Sequence, residues 1–499
     1  LSSVTVKTLD SWIAENLQPS TAFVQQVKQT VKQICDFLKE DCFENEIHVH
    51  KTVKGGSAGK GTALKNNSDA DVVLFLSCLS SYQEQKQKRK NMLDLIIIGL
   101  NACTEKLQFD VDITEPQYKG PDNTPRSLSL TLHSKETRES IDVDILPAYD
   151  ALGQVTEDVP PKPEVYMELL RACSHAGEFS PCFTELQKKF VKRHPAKLKN
   201  LLRLIKYWYK KLKQKYHKED LPPKYALELL TIYAWEEGTG SCHSFVMAEG
   251  FRTVLELLLQ YQNICIYWEK YYSLQHSEIG AHVKSLLRSD RPVILDPADP
   301  TGILGQGKNW GLLAQEAAIS CSLLPCLVNV QAWNVQPARP VTIQVRQLTG
   351  TSLSRTISPC TTIRKLKEEI QQEWGIPLYR QRLAQQEPGG NINLQDGETL
   401  AAYHIFYSTV LLLLQTERQE MDIFVKDDKN RTTTYTVLPT DTVRKLKEQI
   451  QSRQGPPANQ QRLTYGSREL EDQHTLAHYD VKPMTTIYLL LRLRGGAGP

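Results

Sequence analysis

Residues 54–61 read KGGSAGKG, and residues 68–75 read SDADVVLF. The Gly-Gly-Ser turn supplies small residues and backbone N–H groups, which let a triphosphate approach closely. The second stretch runs into apolar residues and is predicted to be a strand, along which side chains alternate between two faces. Asp69 and Asp71 therefore point the same way. Two carboxylates on one face beside a phosphate-holding loop can bind the divalent metals of nucleotidyl transfer.

A third carboxylate is expected on a neighbouring strand. Two-metal nucleotidyl transfer commonly uses one to bind the metal that activates the attacking hydroxyl. Residues 141–146 read IDVDIL and are predicted to be a strand, which offers Asp142 and Asp144 on one face. The spacing alone leaves the choice between these two aspartates open.

A basic run lies further along the same part of the chain. Residues 188–215 contain twelve Lys and Arg and no Asp or Glu, although the net charge of the whole chain is only +3. This density indicates a polyanionic partner, against the alternative of a solvated helix face. Arg203 and Lys206 are three residues apart on a predicted helix within the run, so they share a face that can meet the phosphates of a donor triphosphate.

The composition places limits on location and partners. The 499 residues contain no run of the roughly 18 apolar residues that a membrane span needs, so no membrane partner is expected. No secretory signal is visible at the start. The eleven cysteines are odd in number and form no CxxC pair. Both features favour a cytoplasmic protein with reduced thiols, and the nucleus is a second expected location.

The C-terminal part contains two similar blocks, residues 341–416 and 421–496. The first has IRKLKEEI at 363–370 and the second has VRKLKEQI at 443–450, a spacing of 80 residues. This period is too long for a solenoid repeat and indicates duplicated domains. A mixed α/β block precedes them. Its predicted elements are helices over 22–43, 81–107, 198–212 and 225–235, strands over 128–132 and 141–146, and loops over 116–125 and 159–163.

The first block resembles the 2′-5′-oligoadenylate synthetases over residues 1–338. Besides the two opening stretches, the resemblance rests on DILPAYDALG at 144–153, ELQKKF at 185–190, YALELLTIYAWE at 225–236 and RPVILDPADP at 291–300. Residues 421–496 closely resemble ubiquitin, and residues 341–416 resemble it more distantly. The implied fold class is α+β, with a bilobal nucleotidyltransferase fold followed by two β-grasp domains. The implied boundaries are an N-lobe of about 1–155, a helical C-lobe of about 156–338, ubiquitin-like domains at 341–416 and 421–496, and a tail at 497–499.

The resemblance also implies roles for individual residues. The catalytic, metal-binding triad falls on Asp69, Asp71 and Asp144, which selects Asp144 over Asp142, and its cofactor is a pair of Mg²⁺ ions. The ATP contacts fall on Gly56, Ser57, Arg203, Lys206, Lys224 and Tyr225. Lys224 stands where the family usually has Gln. The double-stranded RNA contacts fall on Lys39, Lys54, Lys192 and Lys197, and Ala196 stands where the family often has Thr.

The implied function is an enzyme of innate antiviral defence that joins ATP molecules through the 2′-hydroxyl and releases pyrophosphate. Double-stranded RNA binds the opposite face and remodels the site. The alternative is a non-catalytic RNA-sensing adaptor that acts through the ubiquitin-like tail, since some proteins with this layout lack the aspartates. The complete triad favours the enzyme.

The tail is expected to dock a protein partner. The positions in register with ubiquitin's apolar partner patch are Asp428, Thr464 and Leu490, so many ordinary ubiquitin receptors should bind the second domain poorly. The chain continues for three residues past Gly496. Removal of those residues would permit conjugation through Gly496, but a docking module is the preferred interpretation.

Overall fold

The computed structural model describes residues 1–43, 46–65, 68–106, 111–113, 117–119, 126–134, 139–156, 158–387, 390–416 and 420–492. The chain divides into two compact units, Leu1–Arg339 and Pro340–Pro499. Helix and sheet are mixed along the chain and the C-terminal regions are sheet-rich, which confirms the α+β class. Within the described part of the chain, no helix is both long enough and apolar enough to cross a membrane.

The first unit combines one large sheet with eleven described helices. The helices are α1 Leu9–Asn16, α2 Thr21–Glu40, α3 Gly56–Lys60, α4 Tyr82–Lys106, α5 Pro163–Ala172, α6 Thr184–Lys192, α7 Ala196–Lys215, α8 Lys224–Thr239, α9 Met247–Leu259, α10 Ser277–Leu287 and α11 Trp310–Leu323. The strands are β1 Val49–Gly55, β2 Ser68–Leu76, β3 Val111–Ile113, β4 Gln117–Lys119, β5 Ser127–Ser134, β6 Ser140–Ala148, β7 Cys265–Ile266 and β8 Val293–Ile294.

The large sheet has the strand order β1-β2-β6-β5-β3, and β4 also pairs with β5. Only the β2–β6 pair is parallel among these described pairings. One face of the sheet is apolar because the alternate residues Ala70, Val72 and Leu74 of β2 and Val143 and Ile145 of β6 are buried with residues of α2 and α4. The intervening positions, including the predicted aspartates, therefore face away from this core.

The helical part of the unit is built around α8. Every residue from 226 to 235 is buried, so this helix is surrounded by protein on all sides. Pro222 and Pro223 precede the helix and Gly240 ends it in a left-handed conformation, which are usual start and stop signals. Glu228 is the single charged residue in the buried stretch.

The predicted helices and strands of the first unit are confirmed to within a few residues at each end. The predicted loop over 116–125 is wrong at Gln117–Lys119, which forms β4 against β5. The remainder of that loop lies outside the described residues. The predicted loop over 159–163 ends where Pro163 begins α5.

The second unit contains two β-grasp folds with the same strand order. The first consists of β9 Val341–Gln347, β10 Ser352–Ile357, α12 Ile363–Trp374, β11 Gln381–Glu387, β12 Gly390–Asn393 and β13 Thr409–Gln415. The second consists of β14 Met421–Lys426, β15 Thr432–Val437, α13 Val443–Gln454, β16 Gln461–Tyr465, β17 Arg468–Glu469 and β18 Thr486–Leu491. Each helix packs its apolar face on the sheet. Gly496 and the tail at 497–499 lie outside the described residues.

Candidate active site

The strand register brings the predicted aspartates next to one another. In the parallel β2–β6 ladder, Asp69 is paired with Asp142 and Asp71 with Asp144. All four side chains belong to the face opposite the apolar core. Asp144 is half-buried and its carboxylate accepts a hydrogen bond of 2.6 Å from Ser129 Oγ, whereas Asp142 is exposed. Asp142 likewise accepts a hydrogen bond from Thr131 Oγ1 at 3.0 Å, so the two aspartates differ in burial and not in the kind of partner.

The three predicted metal ligands are adjacent in the sheet, but they are not gathered around one point. Asp69 and Asp71 line a cleft of about 450 Å³, and Asp144 is not among the residues that line it. Among the described residues, no group of three or more His, Cys, Asp and Glu side chains is arranged to hold a metal ion. The donor set suits Mg²⁺, because it consists of carboxylate oxygens on one face. The carboxylates have the chemistry and the strand register that Mg²⁺ needs, but in this structure they do not surround a common point.

The Gly-Gly-Ser turn is locked onto the strand that carries the aspartates. Gly56 has φ of +71°, and a Cβ at this position would lie 2.8 Å from the carbonyl oxygen of Asp69. Only glycine fits that approach. Ser57 Oγ accepts from the Asp69 N–H at 2.9 Å and donates to the Asp69 carbonyl at 3.1 Å. The Ser57 side chain, predicted to meet ATP phosphate, lines the cleft while holding the Asp69 backbone in place.

A buried ion cluster joins this turn to the helical lobe. The carboxylate of Glu228 forms ion pairs with Lys60 Nζ at 3.1 Å and with Lys206 Nζ at 3.0 Å. Burial opposes ionisation of Glu228, but the two ammonium groups outweigh it and lower its pKa to about 2. Burial lowers the pKa of Lys206, and Glu228 only partly offsets this effect. Lys206, a predicted ATP contact, lines the cleft with its ammonium group also bonded to Thr62 Oγ1 at 2.9 Å.

Arg203 lies elsewhere, although it shares a helix with Lys206. Its guanidinium donates to the carbonyl oxygens of Ala63 at 2.9 Å and Gly61 at 2.8 Å, and to Asn200 Oδ1 at 2.9 Å. Burial lowers its pKa to about 10. Arg203 does not line the aspartate cleft and instead fastens the chain just after α3. Its predicted role toward ATP stays a prediction.

The opposite wall of the cleft carries polar groups that the sequence reasoning did not assign. Asp296 accepts hydrogen bonds from Gln187 Nε2 at 2.6 Å, Tyr225 Oη at 3.1 Å and the Ala298 N–H at 2.9 Å. Burial and the nearby Asp299 carboxylate raise the pKa of Asp296 to about 7. The motif RPVILDPADP contains both acids and was visible in the sequence as part of the resemblance. Nothing in their spacing showed that they would face the cleft.

Cations remain at the mouth of the cleft. Lys210 of α7 and Lys224 of α8 line it, and Lys224 is exposed. Tyr225, another predicted ATP contact, lies beneath Lys60, whose Nζ is 4.4 Å from the ring centroid. The cleft thus combines a glycine turn, the two carboxylates of β2 and several ammonium groups. Side chains and backbone groups of these kinds are chemically suited to phosphate groups.

The four predicted RNA contacts lie on different elements of the first unit. Lys39 ends α2 and is exposed, and Lys54 lies on β1. Lys192 ends α6 and is exposed, while Lys197 starts α7 with its Nζ 5.3 Å from the Phe245 ring centroid. Lys54 and Lys192 line one groove together. The structure therefore brings these two predicted contacts to a common surface.

Comparisons with known proteins show the family to which the chain belongs. The family model described as "2'-5'-oligoadenylate synthetase 1, domain 2, C-terminus" matches residues 159–338, and the ubiquitin family model matches residues 341–418 and 423–494. The chain is 43% identical over 496 residues to 2'-5'-oligoadenylate synthase-like protein 2 of Mus musculus, covering 97% of this chain and 96% of that protein. It is 39% identical over 501 residues to synthase-like protein 1 of Mus musculus, covering 98% and 96%. It is 45% identical over 354 residues to 2'-5'-oligoadenylate synthase 1A of Mus musculus, covering 68% and 95%.

Proposed function

The chain belongs to the 2′-5′-oligoadenylate synthetase family, and on that premise we propose that it is a double-stranded RNA-activated 2′-5′-oligoadenylate synthetase of innate antiviral defence. In the proposed reaction, the 2′-hydroxyl oxygen of an acceptor adenylate attacks the α-phosphorus of a donor ATP. A P–O bond forms, the bond to pyrophosphate breaks, and the hydroxyl proton is lost. The observation that carries the proposal is the β2–β6 register, which pairs Asp71 with Asp144 beside the Gly-Gly-Ser turn.

The side chains of the cleft suit this reaction. Asp69, Asp71 and Asp144 are the residues that would hold the metal ions. Mg²⁺, when bound, would polarise the attacking hydroxyl and offset the charge of the phosphates. Lys60 and Lys206 add positive charge beneath the turn, and Lys210 and Lys224 add it at the mouth of the cleft. These cations would orient the triphosphate and neutralise the departing pyrophosphate.

The position of Asp144 supports dependence on an activator. Its carboxylate accepts a hydrogen bond from Ser129 on the neighbouring strand, and it does not line the cleft that Asp69 and Asp71 line. Completion of the metal site requires Asp144 to turn toward them. We infer that duplex RNA, bound at the lysine-bearing surface, favours that rearranged state.

The test is ATP turnover by the full chain with Mg²⁺, with and without duplex RNA, with products resolved by linkage. Asp71→Asn should lower synthesis by at least about 100-fold, because it removes a ligand from a two-metal site. Asp142→Asn is the matched control, since Asp142 occupies the neighbouring exposed position on the same face. Both variants should bind duplex RNA like the parent chain. Equal synthesis by Asp71→Asn and the parent, or equal losses in both variants, would refute the assignment.

A second candidate function, an adaptor that acts through the tail, is favoured by one specific observation. In strand register, Leu490 is opposite Arg462 in the second ubiquitin-like fold, and Leu414 is opposite Arg382 in the first. Leu414 is therefore the first fold's equivalent of Leu490. The equivalents of Asp428 and Thr464, 80 residues earlier, are Leu348 and Ala384, both apolar.

The first fold thus exposes leucine at two of these three positions, whereas the second exposes it only at Leu490; Ala384 is 1% exposed and adds no apolar surface. Leu348 is 82% exposed and Leu414 is 37% exposed. An exposed apolar patch of this kind typically marks a protein interaction site. The exposed leucines of the first fold were not predicted from the sequence.

The adaptor function can be separated from synthesis in cells that carry an interferon-promoter reporter. A chain with Asp71→Asn should still raise the reporter signal if the tail transmits it. Adding Leu348→Asp should abolish that signal, whereas adding Leu490→Asp should leave most of it. Complete loss of signal with Asp71→Asn alone would exclude the adaptor function.

A further inference from the structure

A second groove of about 300 Å³ opens on a different face of α3 from the aspartate cleft. The cleft is lined by Gly56, Ser57 and Lys60, whereas this groove is lined by Ala58, Gly59 and neighbouring residues. It lies where α2 meets α3, α6 and α7. We call it the lysine groove, and its lining includes Phe23, Val27 and Val31 together with Lys28, Lys54, Lys188, Lys192 and Lys199.

The floor of the lysine groove is apolar. Phe23, Val27 and Val31 of α2 contribute side chains that are 4–8% exposed. Ala70 of β2 and Ile141 of β6 extend this floor from the sheet. A floor of this kind binds hydrocarbon rather than phosphate, because burying apolar surface is favourable by about 25 cal/mol per Å².

The walls of the lysine groove carry charge of one sign. They present Lys28, Lys54, Lys188, Lys192 and Lys199, and no Asp or Glu is among the described residues that line the groove. None of these five ammonium groups forms an ion pair or a side-chain hydrogen bond with another described residue. Positively charged walls around a low-dielectric floor concentrate the electric field in the groove and attract anions.

The pKa values of two of the lysines are lowered by burial and by neighbouring cations. Burial lowers the pKa of Lys188, and the Lys192 ammonium lowers it further. Glu185 attracts Lys188, but its carboxylate already pairs with Lys51 at 3.8 Å and Lys189 at 3.7 Å. Burial likewise lowers the pKa of Lys199, with Arg203 and Lys192 adding to the effect.

We propose that the lysine groove is a binding site for a small single-chain amphiphile, with an alkyl chain on the floor and a phosphate headgroup among the lysines. Charge complementarity selects the anionic head, and the buried floor selects the chain. The volume is at the lower end of that of small-molecule sites, which is about 300–1,000 Å³. A partner helix, roughly 10 Å across, would need a longer trough.

Duplex RNA is not the ligand that this floor fits. A duplex offers phosphates and 2′-hydroxyls to a protein, so it can meet the lysines at the rim. It has no hydrocarbon to place against Phe23, Val27 and Val31. The lysines at the rim are therefore compatible with RNA, whereas the apolar floor fits a ligand that contains hydrocarbon.

The experiment is calorimetric titration of the full chain with decyl phosphate, in parallel with inorganic phosphate and with decanol. One equivalent of decyl phosphate should bind more tightly than either fragment. Lys28→Glu should weaken its binding at least about fivefold, because the exposed rim charge is reversed without disturbing the core. Lys32→Glu, exposed one turn further along α2 and outside the groove lining, is the matched control and should leave binding unchanged.

Several outcomes would overturn the proposal. They are an absence of decyl phosphate binding, equally tight binding of inorganic phosphate or decanol, and equal weakening by Lys28→Glu and Lys32→Glu. Val24→Ser tests the apolar component separately, since Val24 lines the groove and is 43% exposed, so the substitution should not unfold α2. It should weaken decyl phosphate and leave inorganic phosphate unaffected.

The groove has a consequence for RNA binding that rests on the proposed function. Lys54 and Lys192 line the groove and are also predicted RNA contacts, so duplex RNA should displace decyl phosphate. Retention of decyl phosphate by an RNA-saturated chain would overturn the shared use of these lysines while leaving the groove intact. Failure of decyl phosphate to bind in the absence of RNA would overturn the groove itself, whatever the enzyme does.

Discussion

Replacing Glu228 by glutamine is predicted to destabilise the first unit by about 3 kcal/mol at pH 7. The carboxylate is 5% exposed and bridges two ammonium groups at 3.0 and 3.1 Å. Lowering its pKa from 4.5 to about 2 corresponds to about 3 kcal/mol of preferential stabilisation of the charged form. Removal of one partner from a buried ion pair typically costs about 3–5 kcal/mol, because the remaining charge is left buried and uncompensated. Both routes give the same magnitude.

The effect should depend on pH with a definite sign. The pKa of Glu228 in the folded protein lies below its unfolded value, so its stabilisation is present above about pH 4.5 and is lost as the pH falls toward 2. The difference in unfolding free energy between the parent chain and Glu228→Gln should therefore be largest at neutral pH. It should shrink as the pH falls from about 5 to about 2.

The assay is urea unfolding followed by tryptophan fluorescence, since six of the seven tryptophans belong to the first unit. Glu237→Gln, an exposed glutamate on the same helix, is the matched control and should change the unfolding free energy by less than about 0.5 kcal/mol. A Glu228→Gln chain within about 0.5 kcal/mol of the parent at pH 7, or a difference that grows as the pH falls, would refute the reasoning.

Three further predictions concern the neighbouring groups. Arg203→Met should lower the unfolding free energy by about 1 kcal/mol, because the partly buried carbonyls of residues 61 and 63 lose their donors. Calorimetry should show that ATP affinity changes less than stability. As the pH rises from 4 to 7, the unfolding free energy of Asp296→Asn should increase relative to that of the parent by up to about 4 kcal/mol. The reason is that the folded protein, in which the pKa of Asp296 is about 7, disfavours the charged carboxylate. Urea unfolding at a series of pH values would measure this difference. Four phosphate contacts through the predicted lysines imply that duplex RNA affinity falls roughly 100-fold between 50 and 200 mM salt, and a flat response in a filter-binding series would contradict this.

The local parts of the candidate site were predictable from the sequence. Alternation along a strand placed Asp69 and Asp71 on one face without knowledge of any other element. The need for Gly56 also follows from local chemistry, and the structure shows the close approach to Asp69 that requires it. Caps such as Ser20 before α2 fix helix starts through contacts only three residues apart. Features of this kind depend on residues that are close in sequence, so they can be predicted from the sequence alone.

The charge pairing inside the unit was not predictable in the same way. Glu228 meets Lys60 across 168 residues of sequence, so only the packing of α8 against α3 reveals the pair. The available signal was a lone glutamate in the apolar run YALELLTIYAW, which implies a buried partner without naming it. Asp296 depends on Gln187 and Tyr225 in the same way.

Arg203 illustrates a limit of helical spacing. Residues three apart on a helix are neighbours, but they differ by about 60° in direction. At the boundary between two grooves this difference is decisive. Lys206 lines the aspartate cleft, whereas Arg203 lines the lysine groove. The spacing predicted a shared face, but residues 61–63, which follow α3, contact both side chains and separate the two grooves.

These contacts place the control of the candidate site at the junction between the sheet and the helical lobe. On the helical side, Arg203, Lys206 and Glu228 bond to α3 or to the residues that directly follow it. Within α3, Ser57 hydrogen-bonds to the backbone of Asp69. Under the proposed function, a change in the position of α7 and α8 relative to the sheet can act on the aspartates through this turn. Of the predicted RNA contacts, Lys39 and Lys54 belong to the sheet side and Lys192 and Lys197 to the helical side. Under the proposed function, a duplex that is too short to reach both pairs should bind without activating synthesis, because it contacts only one side of the junction.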